Sequence, residues 1–207
     1  MRFTAGDVRA AIATPQALVE RLAARSASPE ATPRSAQRLW IEACLRSYFR
    51  SRRSPDVLIS EYRRRTFGKG RTAAQRTQIA NGEEMLQTFL TWEESEPEPH
   101  VAMHPRTDRV VLGHTLSMPH DLVYELGDGY LLREVWTDGF VRSDRDRKLL
   151  AAASLAHADA VFGLGRIQVV EAWQLRSEIK MAWPRRQLEQ SFSVLRQRLD
   201  EIERQLK

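Results

Sequence analysis

The sequence predicts an α/β (α+β) fold, with a helical N-terminal region, a central sheet flanked by helices, and a long C-terminal helix. Three observations carry this reading. Residues 4–93 hold apolar positions at helical spacing, punctuated only by proline and glycine. The acidic stretch Glu94-Ser95-Glu96-Pro97-Glu98-Pro99 then gives way to short apolar runs separated by turn residues. An alanine- and leucine-rich segment, one more apolar run and a final amphipathic segment complete the pattern. The chain thus divides into a helical region, 1–93, an αβ core, 94–183, and a terminal amphipathic helix, 184–207, with the helical region part of the same fold.

Between Thr4 and Arg25, helical positions are supplied by Val8, Ala11, Ile12, Leu18, Val19 and Leu22, with Thr4 or Asp7 as cap. Pro15 has no amide hydrogen to give and separates this stretch into two short helices. Ser26 to Ser35 is a linker by composition. A helix from Ala36 to Arg52 offers Leu39, Trp40, Ala43, Leu45, Tyr48 and Phe49 to a core. Ser54-Pro55 opens a third helical segment through Tyr62, and Phe67-Gly68-Lys69-Gly70 breaks the chain before a helix over Ala73 to Glu93. Strands are expected at His100–His104, Arg109–Leu116, Asp121–Leu126 and Tyr130–Trp136. Their turns fall at Pro105–Asp108, Ser117–Pro119 and Gly127–Gly129. Asp144 to Val161 is a helix ended by Gly163-Leu164-Gly165, and Arg166 to Arg176 is a strand. Pro184 opens the last helix, where Leu188, Phe192, Leu195, Leu199, Ile202 and Leu206 form a heptad stripe. Such a stripe is either the buried face of a helix docked on its own domain or a contact for a partner or a second copy.

Composition narrows the function classes. At 207 residues and 42% hydrophobic content the chain can build a real core. No apolar run approaches the roughly 20 residues a spanning helix needs, so no membrane partner is expected. The start lacks an apolar signal core, and a cytoplasmic location is expected. Cys44 is the only cysteine, which leaves no intrachain disulfide, zinc knuckle or iron–sulfur cluster to be built. The net charge is +5, and basic residues crowd between Arg46 and Arg76 against only Asp56 and Glu61. Guanidinium forks match phosphate oxygens, so Arg50, Arg52, Arg53, Arg63, Arg64, Arg65, Lys69 and Arg71 are candidate nucleic-acid contacts. The alternative is a solvated basic helix face. Nothing in the chain resembles a base-reading helix or an RNA-binding signature.

The hairpin from His120 to Thr137 carries the chemistry. Asp121 opens one strand and Glu134 lies near the end of the next, the layout that fixes carboxylates for one or two Mg²⁺ or Mn²⁺ ions. The Val135 carbonyl completes a tentative ligand set. Residues two apart share a face of a strand, so Glu134 and Trp136 point one way and Arg133 and Val135 the other. By the same alternation His120 should face away from Asp121 and is not expected to be a ligand. His104 and His114 have no matched partner spacing, and His157 reads as a helix-surface residue.

These residues resemble the PD-(D/E)XK nuclease superfamily, in the RecB-like exonuclease branch that includes the nucleases of CRISPR spacer acquisition. Asp121-Leu122-Val123 is similar to the first half of its motif, and Asp128-Gly129 through Glu134-Val135-Trp136-Thr137 to the second, with Trp136 replacing the lysine. Phe3 through Thr14-Pro15 resembles the family's opening helix and "CP" dipeptide, with Thr14 in the cluster cysteine's place. Trp40 aligns with the branch's metal-binding histidine, and Lys148-Leu149-Leu150-Ala151-Ala152 keeps neither residue of its Gln-x-x-x-Tyr motif. The resemblance implies a restriction-endonuclease-like core with a mixed sheet. It implies a degenerate, weakly active or inactive protein that binds DNA, or a DNA-processing partner, in repair, recombination or defence against foreign DNA. Trp40 and Trp136 would fill the site or stack on unpaired bases. Two alternatives stand beside it. One is an active Mg²⁺- or Mn²⁺-dependent nuclease using Asp121 and Glu134, with Lys148, or Arg147, supplying the missing positive charge. The other is a non-enzymatic scaffold subunit that uses the terminal helix.

Overall fold

A computed structural model describes residues 1–27, 36–51, 54–70, 72–95, 100–137 and 143–207. Arg52, Arg53, Arg71, most of the expected linker and the prolines at 97 and 99 lie outside the described residues. The elements run β1 (Arg2–Thr4), α1 (Ala5–Ala13), α2 (Pro15–Ala27), α3 (Ala36–Arg50), α4 (Pro55–Thr66), α5 (Ala73–Ser95), β2 (His100–Val111) and β3 (His114–Leu126). They continue with β4 (Gly129–Trp136), α6 (Asp144–Phe162), β5 (Ile167–Gln174), a 3₁₀ turn (Leu175–Ser177), β6 (Ile179–Pro184), α7 (Arg185–Glu189) and α8 (Phe192–Gln205). The fold is α+β, with a mixed six-stranded sheet. Among the described residues no helix is long and apolar enough to cross a membrane.

Two compact units emerge. One comprises Met1–Ala31, Pro99–Trp173 and Lys180–Lys207, and the other Thr32–Glu98 and Gln174–Ile179. The first two helices and the last two therefore belong with the sheet.

In the sheet unit, β3 is the axis. β2 pairs antiparallel along one edge, while the other edge is shared by β1, parallel at 115–117, and β4, antiparallel at 122–126. The Tyr130 amide donates to the Arg166 carbonyl, and Arg133 Nε to Glu171 Oε2, so β4 and β5 advance together in the same direction. The connecting α6 is the crossover that parallel neighbours require.

Several boundaries differ from those read in the sequence. The expected turns at Pro105–Asp108 and Ser117–Pro119 run inside long strands, with Thr107 opposite Met118 and Asp108 opposite Ser117. The chain reverses instead at Leu112-Gly113, both at positive φ (54° and 87°), between the paired Val111 and His114. Leucine seldom adopts that conformation, so the sequence does not announce the turn. Pro105 and Pro119 sit where the β2–β3 register is irregular, which is where a residue without an amide hydrogen is tolerated. β1 and β6 are additional strands. The expected last strand stops at Gln174, and the terminal helix breaks at Gln190-Ser191 into α7 and α8.

Thr4 ends β1 and caps α1. Its Oγ1 accepts from the Asp7 amide, Asp7 Oδ2 accepts from the Thr4 amide, and Arg21 grips Asp7 Oδ1 at 2.6 Å. The heptad stripe is used inside this unit. Leu195, Leu199 and Ile202 are buried with Val8, Leu18 and Leu149, and Leu188 packs with the Val123 and Leu132 cluster.

The helical unit is built by α3, α4 and α5. Tyr62 is fully buried against Gly82, where any side chain would collide with its ring, and its hydroxyl donates to the Ile79 carbonyl at 3.0 Å. Tyr48 and Phe49 meet Phe89 edge-on. α4 runs past the expected end at Tyr62 to Thr66. Arg63, Arg64 and Arg65 continue it, and their charges complement the negative end of the helix dipole.

Because the α8 stripe is spent internally, Leu199→Ala should lower stability by about 2–5 kcal/mol through cavity formation. The molecular mass in solution should not change. Denaturant titration and light scattering check this, and a mass halved by the substitution would show the stripe to be an intermolecular contact.

Candidate functional site

The site expected from the hairpin forms where β3 and β4 meet α6. Between His120 and Val123, three steps along β3 match two along β2 (His104 to Ala102), so β3 holds an extra residue there. This bulge resets the alternation of side chains. Leu116, Met118 and His120 therefore face the helices, and after the bulge so does Val123, packed with Ala151, Ala152 and Leu155 of α6. On β4, Leu132, Glu134 and Trp136 share that face, while Arg133 lies on the other between the Tyr124 and Trp173 rings.

The two candidate metal carboxylates are both engaged. Asp121 is half-buried in the bulge, and its Oδ2 accepts the Val135 amide hydrogen at 2.8 Å. Glu134, only 5% exposed, places Oε1 3.0 Å from His120 Nδ1. His120 Nε2 lies 2.9 Å from His157 Nδ1, and His157 Nε2 lies 3.0 Å from the Thr107 carbonyl oxygen. This corrects two expectations. The bulge brings His120 to the Glu134 carboxyl, and His157 is fully buried on α6 because that helix is enclosed all round from Leu149 to Ala158.

Burial pushes the His120 imidazole down to about 4, against a smaller opposing pull from Asp121. Burial likewise lowers His157 to about 4, helped by His120 and opposed by its hydrogen bonds to the Thr107 and Leu116 carbonyls. Burial favours the neutral form of both rings. A carbonyl oxygen only accepts, so His157 carries a hydrogen on Nε2, and its Nδ1 accepts from His120 Nε2. One more hydrogen lies between His120 Nδ1 and Glu134 Oε1, which joins the carboxyl to the two imidazoles in a single hydrogen-bonded chain.

The remaining predicted residues scatter. Trp136 is buried with Met118, Leu149, Leu150 and Ala153, its ring 6.5 Å from that of Trp183, so it serves the core and offers no stacking face. Lys148 is half-buried at the start of α6 and pairs with neither carboxylate among the described residues, while Arg147 holds Asp144 at 2.8 Å. Among the described residues, no three His, Cys, Asp or Glu side chains gather to hold a metal ion. His114, expected to lack a partner, is buried with Nε2 2.8 Å from Asp200 and Nδ1 3.3 Å from Glu203, tying β3 to α8.

In the helical unit, Arg63 contacts Glu83 at 2.6 Å, and Arg64 and Arg65 both reach Glu61. Glu61 is held below the usual carboxylate range by its hydrogen bond from Arg64 and then by Arg65. Lys69 Nζ sits 4.9 Å from the centroid of the half-buried Trp40 ring. Arg50 ends α3, with its side chain outside the described residues. Compared with known proteins, the chain matches no family model and no curated protein.

Nitrogen-15 spectra at neutral pH should show a protonated Nε2 on both His120 and His157 and a bare Nδ1 on His157. A protonated Nδ1 on His157 would overturn this order. The rings also set a pH dependence. Their folded values near 4 lie below the ordinary 6.5, so the unfolded chain takes up these protons first. Their contribution to stability is whole above about pH 6.5 and is lost as pH falls toward about 4, on the order of a few kcal/mol. Denaturant midpoints across that window check it, and the drop should shrink in His157→Gln.

Proposed function

We propose that this chain is a nuclease-fold protein of the PD-(D/E)XK type that no longer cuts and instead holds DNA or a DNA-processing partner. The observation that carries the non-cutting half is the use made of Asp121 and Glu134. Asp121 gives one oxygen to a backbone amide, and Glu134 is buried against His120 in a histidine chain. A divalent cation needs carboxylate oxygens converging from open positions, and Glu134, enclosed and spent on His120, does not offer one. The lysine that would assist hydrolysis is replaced by Trp136, which belongs to the core. No cleavage step is assigned to these residues.

The binding half rests on the basic α4. Arg63 and Arg64 keep most of their side-chain surface in solvent while touching Glu83 and Glu61. Exposed pairs of this kind are worth about 0–1 kcal/mol each, so a phosphate can displace the glutamate at little cost. Arginine forks then bind phosphate oxygens in two-point fashion. Repair, recombination and defence against foreign DNA are the settings that the resemblance suggests.

Fluorescence anisotropy with labelled DNA at low salt, paired with cleavage assays in Mn²⁺, tests both halves. Binding should weaken steeply with salt, be unchanged by Asp121→Ala, and lose about one unit of its log–log salt slope in Arg64→Ala. No cleavage should appear. Mn²⁺-dependent cleavage abolished by Asp121→Ala would establish an active nuclease instead. No binding even at low salt would leave a protein scaffold.

A further inference from the structure

Beside the arginines of α4 stands a residue that the basic cluster alone does not explain. Phe67 is 88% exposed, which for a large aromatic is a cost the fold gains nothing from. Its position is fixed. The Lys69 amide donates to the Thr66 carbonyl at 3.0 Å, closing a four-residue turn over Thr66-Phe67-Gly68-Lys69. Phe67 has φ −53° and ψ 129°, and Gly68 has φ +70°, the pattern of a type II turn with glycine at its third position. A Cβ built on Gly68 meets nothing within 4 Å, so the corner stands clear of the helices behind it. Thr66 anchors the base of the turn, its hydroxyl donating to the Tyr62 carbonyl at 2.9 Å. The ring is therefore carried on a short, hydrogen-bonded corner.

The neighbours select the occupant. Arg63, Arg64 and Arg65 precede the turn on the last helical turn, and Lys69 closes it with its ammonium against the Trp40 ring. A purely apolar protein patch gains nothing from the four basic residues that flank Phe67 in this segment. A polyanion with exposed flat apolar faces gains from both. Duplex DNA presents the phosphates but keeps its bases stacked inside, whereas a single strand presents both.

We infer that Phe67 is a base-stacking residue, and that the Arg63–Lys69 segment binds single-stranded nucleic acid with the phenyl ring against an unpaired base and the arginines along its phosphates. This rests on the nucleic-acid reading given above and narrows it to a strand type and to a contact outside the Asp121–Glu134 hairpin. Gly68 follows as a requirement of the turn, since a side chain there is strained at positive φ.

The test uses the full chain, a fluorescein-labelled oligothymidylate and a duplex of equal length at low salt. Phe67→Ala should weaken oligothymidylate binding about tenfold or more, with the duplex affinity and both salt slopes unchanged. Phe67→Trp should retain binding, and its added indole emission should be quenched as oligothymidylate is titrated in. Equal affinity of wild type and Phe67→Ala for the single strand overturns the stacking role while leaving the nucleic-acid reading intact. Failure of the wild type to bind either probe overturns both. A self-associated wild type that Phe67→Ala converts to monomer, with single-strand affinity unchanged, overturns stacking in favour of a protein contact.

Discussion

The sheet unit depends on the enclosure of α6. From Leu149 to Ala158 every residue of this helix is buried, and most are alanine or leucine. Small side chains let its backbone approach β2 and β3 closely, and the helix is shielded from solvent all round. Any polar group caught there must find a partner within the protein. His157, Ser154, His120 and Glu134 are the polar groups so caught. The chain from the Glu134 carboxyl through two imidazoles to the Thr107 carbonyl is a consequence of that constraint.

This constraint also decides the fate of the two carboxyl groups that look catalytic in the sequence. Glu134 lies on the α6 face of β4 and is drawn inward, whereas Asp121 sits in the bulge and turns its oxygen to the Val135 amide. Both uses are structural hydrogen bonds. The hydrogen bond of the buried Glu134 is costly to break, since an orphaned partner there would stay unsatisfied. A metal ion recruited to Glu134 would have to displace its contact with His120. Trp136 adds to that barrier by packing among Met118, Leu149 and Leu150, on the same face as Glu134.

Much of the architecture was legible in the sequence, for reasons of periodicity. The helices, the β3–β4 hairpin with its Gly127-Asp128 turn and the sharing of a face by Glu134 and Trp136 all follow from regular spacing. What was not legible involves broken regularity. The β3 bulge shifts the alternation by one residue, and no residue type at 120–123 marks it. Leu112 holds a left-handed turn that asparagine or glycine would have signalled. β1 is three residues long and pairs with a strand more than a hundred residues away. The burial of His157 did have a signal. A helix without a charged residue over ten positions presents no solvent face, and a histidine within it is buried whatever its phase.

The arginine helix obeys a different balance. Glu61 and Glu83 neutralise Arg63, Arg64 and Arg65 in part, and the pairs are exposed enough to exchange. Swapping a carboxylate for a phosphate replaces one anion by another, so the direct contact energy changes little. In the proposed nucleic-acid reading, net affinity from such a surface would come from the release of condensed counterions, and that term is blind to sequence and largely to strandedness. Discrimination between a duplex and a single strand must therefore come from a group that reads something other than charge. On α4 and the turn that follows it, Phe67 is the group left in solvent with an apolar face to offer, and the type II turn holds that face outward before any ligand arrives. A preformed corner loses little conformational freedom on binding, and for that reason a single phenyl ring can shift the balance between strand types.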